Sequence, residues 1–82
     1  MSEQEIFDKV VKILEPYVKN EEAFASVAKE TSILEDLKVN SARLVDVVLA
    51  FEDEFDIEIA DEDADAVATV GDAVRIITEK LG

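Results

Sequence analysis

Few side chains in this chain of 82 residues can do covalent or metal chemistry, and what is missing narrows the field first. Cysteine and histidine are both absent, which removes thiolate nucleophiles, disulfides, thiolate metal sites and the usual acid–base group at neutral pH. Glu35 and Asp36 are adjacent, but no second catalytic group stands at a telling spacing, so an enzyme is not expected. Asp61, Asp63, Asp65 and Asp72 occupy positions 1, 3, 5 and 12 of a calcium-binding loop. The pattern fails where it matters: Ala66 stands where the sharp turn needs glycine, and Asp72 is shorter than the bidentate glutamate that closes such a loop. No dedicated metal site is expected, and weak divalent-cation binding by the clustered carboxylates stays open as the alternative. There remains a hydroxyl, Ser41, in the stretch Asn40-Ser41-Ala42-Arg43 directly before an apolar helical pattern. Taken alone, Asn40 or Ser41 in that setting is an ordinary helix N-cap.

The elements that would position these residues are helical throughout. Ser2 with Glu5 fits a capping box, and Ile6, Val10, Ile13, Leu14 and Tyr17 follow at helical spacing, so a first helix is predicted from about residue 3. Pro16 has no backbone N–H and disfavours helical geometry at Glu15, which ends or kinks that helix. Val18 to Ser32 has poor periodicity; Phe24, Val27 and Ala28 fit one amphipathic turn, while Asn20, Thr31 and Ser32 read as loop and cap residues. It is assigned as a structured connection. A second helix starts at Asn40 or Ser41, with Leu44, Val47, Val48, Phe51 and Phe55 on one face and Asp46, Glu52, Asp53 and Glu54 away from it or at its edge. The acidic segment from Ile59 to Val67 predicts a short third helix, and Thr69 with Asp72 opens a last one carrying Val70, Ala73, Val74, Ile77 and Leu81. The expected core includes Val45, Val48, Ala64, Val67, Ala73 and Val74. The class is all-α, and the length suits one domain over residues 1–82 that buries roughly 60 to 65% of its unfolded surface.

Charge limits the partners. Against 21 acidic residues stand 8 basic ones, a formal net charge of −13. Such a surface repels phosphate backbones and anionic headgroups, so neither nucleic acid nor membrane is expected, and basic protein surfaces are the natural complement. The N-terminal stretch is acidic and leads into no long apolar run, unlike a signal or transit peptide, and a cytoplasmic monomer is expected.

Pattern alone stops at an acidic helical bundle. The stretch Ile33-Leu-Glu-Asp-Leu-Lys-Val-Asn-Ser41, then Leu44-Val-Asp-Val-Val-Leu-Ala-Phe-Glu-Asp-Glu-Phe-Asp-Ile-Glu-Ile59, resembles the acyl carrier protein family. Ile59, the acidic run Asp61 to Asp65 and Thr69-Val70 continue the likeness, which covers roughly residues 33–81 in order and spacing. The resemblance implies a four-helix bundle with a long first connection and a short third helix. It also implies that a phosphopantetheinyl transferase attaches a 4′-phosphopantetheine arm to Ser41, flanked by Asn40 and Ala42, and that the arm's thiol holds an acyl group as a thioester. A helix start suits the attached phosphate, because free N–H groups and the positive end of the helix dipole favour it by about 0.3–1 kcal/mol. Lys38 and Arg43 would add to that.

By the same resemblance, the second helix docks on Lys/Arg patches of synthases and acyltransferases through Arg43, Asp46, Leu49, Glu52 and Asp53; a plain solvated face, and core packing for Leu49, are the bland alternatives. The space between the second and third helices admits the acyl chain in the family, and Ala64 and Ala68 would either widen it or permit close packing. The attachment motif of the family reads glycine, any residue, aspartate, serine, leucine. Here Lys38 replaces the glycine, Asn40 the aspartate and Ala42 the leucine, with Arg43 at a commonly acidic position. These departures point to a specialised carrier for fatty-acid, lipid or polyketide assembly. An aminoacyl or peptidyl carrier and an unmodified acidic interaction module on the same fold are the alternatives.

Overall fold

The structure, a computed structural model, describes residues 2–81. Helix α1 spans Glu3–Leu14, and its start is fixed by the Ser2 hydroxyl, which accepts the Glu5 N–H at 3.2 Å. Ile6, Val10 and Leu14 recur every four residues and are buried on one face. The α-helix stops at Leu14, and Pro16 lies in a 3-10 turn, Glu15–Tyr17, where its missing N–H is harmless. The connection that follows contains a helix of its own. Helix α2, Glu21–Ala25, is capped by Asn20, whose side-chain oxygen accepts the Ala23 N–H at 3.3 Å. Five residues make too short a stripe for periodicity to reveal, since none of them is fully buried.

Helix α3, Ser41–Phe55, is the longest, with Val47, Val48, Phe51 and Phe55 buried. Val45, expected in the core, is instead 64% exposed. At 100° per residue it falls about 60° beyond Val48 around the helix, past the edge of the buried face. Asp56, in the left-handed region at φ 54°, ends α3. Helix α4, Asp61–Asp65, follows without a side-chain cap and buries none of its own residues; Ala64 in it is half-buried rather than core. Helix α5, Val70–Leu81, packs most extensively against α1, and α3 lies against both. Lys9 pairs with Glu54 at 3.2 Å between α1 and α3, and Lys80 with Asp63 at 3.0 Å between α5 and α4.

The irregular chain before α3 supplies as much core as a helix would, through Ile33, Leu37 and Val39. Its backbone is stitched on both sides. Lys19 and Asn20 N–H groups donate to the Leu37 carbonyl, and Ile33 N–H donates to Ala68 O at 3.0 Å, beside an isolated antiparallel bridge between Ser32 and Thr69. Gly71 N–H donates to Lys29 O at 2.7 Å. A Cβ at position 71 would lie 2.9 Å from that oxygen, so only glycine permits the approach.

The start of α5 is a reciprocal capping box: Asp72 N–H donates to the Thr69 hydroxyl, and the Asp72 carboxylate accepts from the N–H groups of Thr69 and Ala68 at 3.1 and 3.2 Å. The Thr69 N–H bond is the main cause that holds the Asp72 carboxyl below the usual aspartate range, although partial burial opposes it. Asp72→Ala should therefore destabilise the fold by about 1–2 kcal/mol at neutral pH. A depressed folded-state pKa contributes stability above the unfolded value, about 3.9 for aspartate, and that contribution is lost as pH falls through the folded value. Chemical denaturation should thus show the gap between wild type and variant closing below about pH 4; a gap independent of pH would contradict the cap.

Candidate functional site

Asn40, not Ser41, is the N-cap of α3. Its side-chain oxygen accepts the Ala42 N–H at 2.9 Å, and its carbonyl accepts the Arg43 N–H at 2.8 Å. Ser41 is the first helical residue, exposed, and its hydroxyl is not needed to close the helix end.

The other serine and threonine hydroxyls are occupied. Ser2 caps α1, Ser26 donates to the Glu22 and Ala23 carbonyls, Thr31 accepts from Ala28 N–H, and Ser32 accepts from Glu35 N–H. Thr69 caps α5, and Thr78 donates to the Val74 carbonyl. Among the described residues, Ser41 is the serine or threonine whose side chain makes no hydrogen bond.

The surroundings of Ser41 suit an attached phosphate. The first turn of α3 contains no acidic residue, so the positive end of a 15-residue helix is left uncompensated. Arg43, exposed, lies in that turn and pairs with Asp46 at 3.2 Å, an exposed contact worth at most about 1 kcal/mol and easily exchanged. Ala42 is exposed. Lys38 holds a left-handed backbone, φ 59°, a conformation that costs a residue with a Cβ about 1–2 kcal/mol. Glycine at that position in the family motif meets this turn without strain; here the lysine adopts it, and its side chain lines a cleft with Asn20, Glu35 and Asp36.

From Ser41 a strip runs along α3 at spacings of four, four and three through Val45, Leu49 and Glu52. Leu49 is 55% exposed, so it belongs to the surface rather than the core. Asp53 is exposed, and Asp46 and Glu52 are half-buried. The Glu52 carboxylate turns inward to accept the Ile59 N–H at 3.1 Å, and Glu54 is held by Lys9, so the acidic face is partly engaged within the molecule. Beside the strip, Val45, Val48, Leu49, Ile59 and Ala64 line a groove of about 370 Å3 between α3 and α4. Ala68 lies outside it, exposed, with its backbone bonded to Ile33 and Asp72. The aspartates that mimic a calcium loop do not form one: Asp61, Asp63 and Asp65 sit on α4, and Asp72 is committed to its cap. No group of side chains able to hold a metal ion occurs among the described residues, nor does any helix there have the length and apolarity to cross a membrane.

An acidic helical bundle that offers a free hydroxyl at the positive end of a helix, next to an exposed apolar strip and a groove, is built as a carrier. The chain belongs to the acyl carrier protein family: residues 19–77 match the family model described as phosphopantetheine attachment site. It is 44% identical over 79 residues to an acyl carrier protein of Picosynechococcus sp., covering 96% of this chain and 95% of that one. It is 40% identical over 81 residues to an acyl carrier protein of Thermotoga maritima, covering 99% and 98%. Among solved structures, an acyl carrier protein from Enterococcus faecalis superposes with a TM-score of 0.80 at 38% identity, covering 98% of this chain and 99% of the other.

The chain accordingly is a carrier and not an enzyme, bearing acyl groups on covalently attached 4′-phosphopantetheine, whose terminal thiol supplies the thioester chemistry that the polypeptide lacks. It works with a phosphopantetheinyl transferase and with acyl-handling enzymes. The sequence pattern identified the helix that bears Ser41. It missed α2, whose signal was Asn20 three residues before Ala23, and it missed Ile59 as a wall of the groove.

Proposed function

We propose that Ser41 is the attachment point of the arm, with Asn40 holding the helix end in place and Ala42 flanking it. The observation that carries this is the uncommitted Ser41 hydroxyl at the uncompensated positive end of α3. Incubation with coenzyme A and a broad-specificity phosphopantetheinyl transferase should add the mass of one phosphopantetheine to the intact protein, on the peptide containing Ser41; an unchanged mass would remove the assignment.

Docking of acyl-chain synthases and acyltransferases falls on the strip of α3, with Leu49 as the apolar contact and Arg43, Asp46, Glu52 and Asp53 as the charges. The formal charge of −13 favours basic patches on those partners and opposes self-association. It supports a monomer; a single carrier domain over residues 1–82 and a cytoplasmic location complete this reading. Lys38, Asn40, Ala42 and Arg43 support a specialised carrier: the commonly acidic entry to α3 is here neutral or basic, and a small alanine replaces an exposed apolar contact. A general transferase and a general ketosynthase should accept it on the order of tenfold more slowly than a carrier with the common motif, and Arg43→Asp should recover part of the loss. Normal rates with both enzymes would count against a specialised role.

A further inference from the structure

The turn that leads into α3 is strained at Lys38. Its backbone holds the left-handed conformation, φ 59°, that glycine would take freely, so a side chain is kept there against the backbone preference. That side chain lines a cleft of about 450 Å3 between α2 and the connection to α3, with Asn20, Ala23, Thr31, Glu35 and Asp36 among its walls. The walls are fixed from within. The Asn20 side-chain amide donates to Asp36 O at 3.0 Å, the Asp36 carboxylate accepts the Ser32 N–H at 2.8 Å, and the Thr31 hydroxyl oxygen accepts the Ala28 N–H at 2.8 Å. Other groups in the cleft stay free: among the described residues, the Lys38 ammonium makes no ion pair, the Glu35 carboxylate accepts no hydrogen bond and the Thr31 hydroxyl donates none. The cleft is also close to Ser41, because the Cα atoms of Lys38 and Ser41 lie at most about 11 Å apart along the chain.

We propose that Lys38, Glu35 and Thr31 form a docking site for the chain's own pantetheine arm in its free-thiol state. Beyond its phosphate, pantetheine carries a hydroxyl and a pair of amides. It therefore has carbonyl oxygens for the Lys38 ammonium and the Thr31 O–H, and N–H groups for the Glu35 carboxylate. Hydrogen bonds to charged groups are about twice as strong as neutral ones, and walls that are already ordered cost little more to order around a ligand. Cargo shifts the balance the other way. An acyl chain gains nothing among mostly polar walls, and the apolar groove lined by Val45, Val48, Leu49 and Ile59 shares no residue with the cleft. The free and the loaded carrier thus present different faces. This rests on the attachment at Ser41 proposed above.

Nuclear magnetic resonance on the full chain, before and after addition of isotope-labelled pantetheine by a transferase, tests it. Addition of the arm should shift the amide signals of Thr31, Glu35 and Lys38 and give nuclear Overhauser contacts from the arm to Ala23 and Lys38, with the Phe51 amide as the unchanged reference. Lys38→Gly removes the ammonium and relaxes the turn, so the variant should fold like the wild type. It should lower the ratio of docked to free arm about tenfold, the equivalent of one hydrogen bond to a charged group, and Glu35→Ala should do the same. Contacts of the arm with α3 and α4 alone, or equal shifts at Thr31 and Glu35 in wild type and Lys38→Gly, would overturn the docking site. The intact mass and the mass of the Ser41 peptide read the attachment separately. An arm on another residue would overturn attachment and docking site together, whereas an arm on Ser41 beside an undisturbed cleft would overturn the docking site alone.

Discussion

Ser41→Ala should gain no phosphopantetheine at all, while its stability stays within about 0.5 kcal/mol of the wild type. Both halves follow from the division of labour at the start of α3. Transfer of the arm needs an oxygen nucleophile, and the alanine side chain has none. The helix end is closed by Asn40, whose side chain and carbonyl satisfy the Ala42 and Arg43 N–H groups, so nothing structural is asked of the serine hydroxyl. Alanine at the first helical position is also the best helix former, and the site is on the surface. Intact mass after incubation with coenzyme A and transferase, with thermal denaturation alongside, reads both. A Ser41→Ala protein that still gained the arm would place the attachment elsewhere. The structure leaves no ready substitute, since every other serine and threonine hydroxyl among the described residues is engaged in a cap or a backbone bond.

That pattern of engaged and free hydroxyls also shows how far the sequence could be read. Helix α3 was legible because it is long enough for Val47, Val48, Phe51 and Phe55 to repeat on one face, and α1 and α5 were legible from their capping pairs. Whether Ser41 capped the helix or followed the cap was not legible: Asn40 and Ser41 are both good caps, and the choice is a matter of one residue in backbone geometry. Val45 was misplaced for a related reason, since a position at the edge of a helical face is decided by which neighbour lies over it. Ile33, Leu37 and Val39 lie beyond periodicity altogether. Their burial comes from long-range bonds, to Ala68 on one side and from Lys19 and Asn20 on the other, and no local pattern encodes those. The inward turn of the Glu52 carboxylate is of the same kind, because it depends on where Ile59 N–H arrives after the Asp56 turn. The departures around Ser41, by contrast, are fully legible in the chain. The structure adds only that Lys38 takes up a left-handed turn suited to glycine.

Phe51→Ala should damage the fold severely, costing about 3–5 kcal/mol. Phe51 is 1% exposed and sits near the middle of the buried face of α3, the helix that contacts both α1 and α5. Truncation removes an aromatic side chain's apolar burial and leaves a cavity between helices that are fixed by their other contacts and relax only partly to fill it. A chain of this length commonly has only about 4–12 kcal/mol of total stability, so the loss is a large share of it. The midpoint of thermal unfolding should fall by at least roughly 12 °C. Because α3 carries Ser41 at its first position and Leu49 on its outer strip, loading by a transferase should drop in step with the folded fraction and recover on cooling. Leu49→Ala, also a loss of a large apolar side chain from α3, provides the contrast: at 55% exposure it should cost under about 1 kcal/mol. Equal melting temperatures for Phe51→Ala and Leu49→Ala would mean that the two faces of α3 are not divided between core and surface, and the placement of Ser41, Val45 and Leu49 on one outward strip would fall with that division.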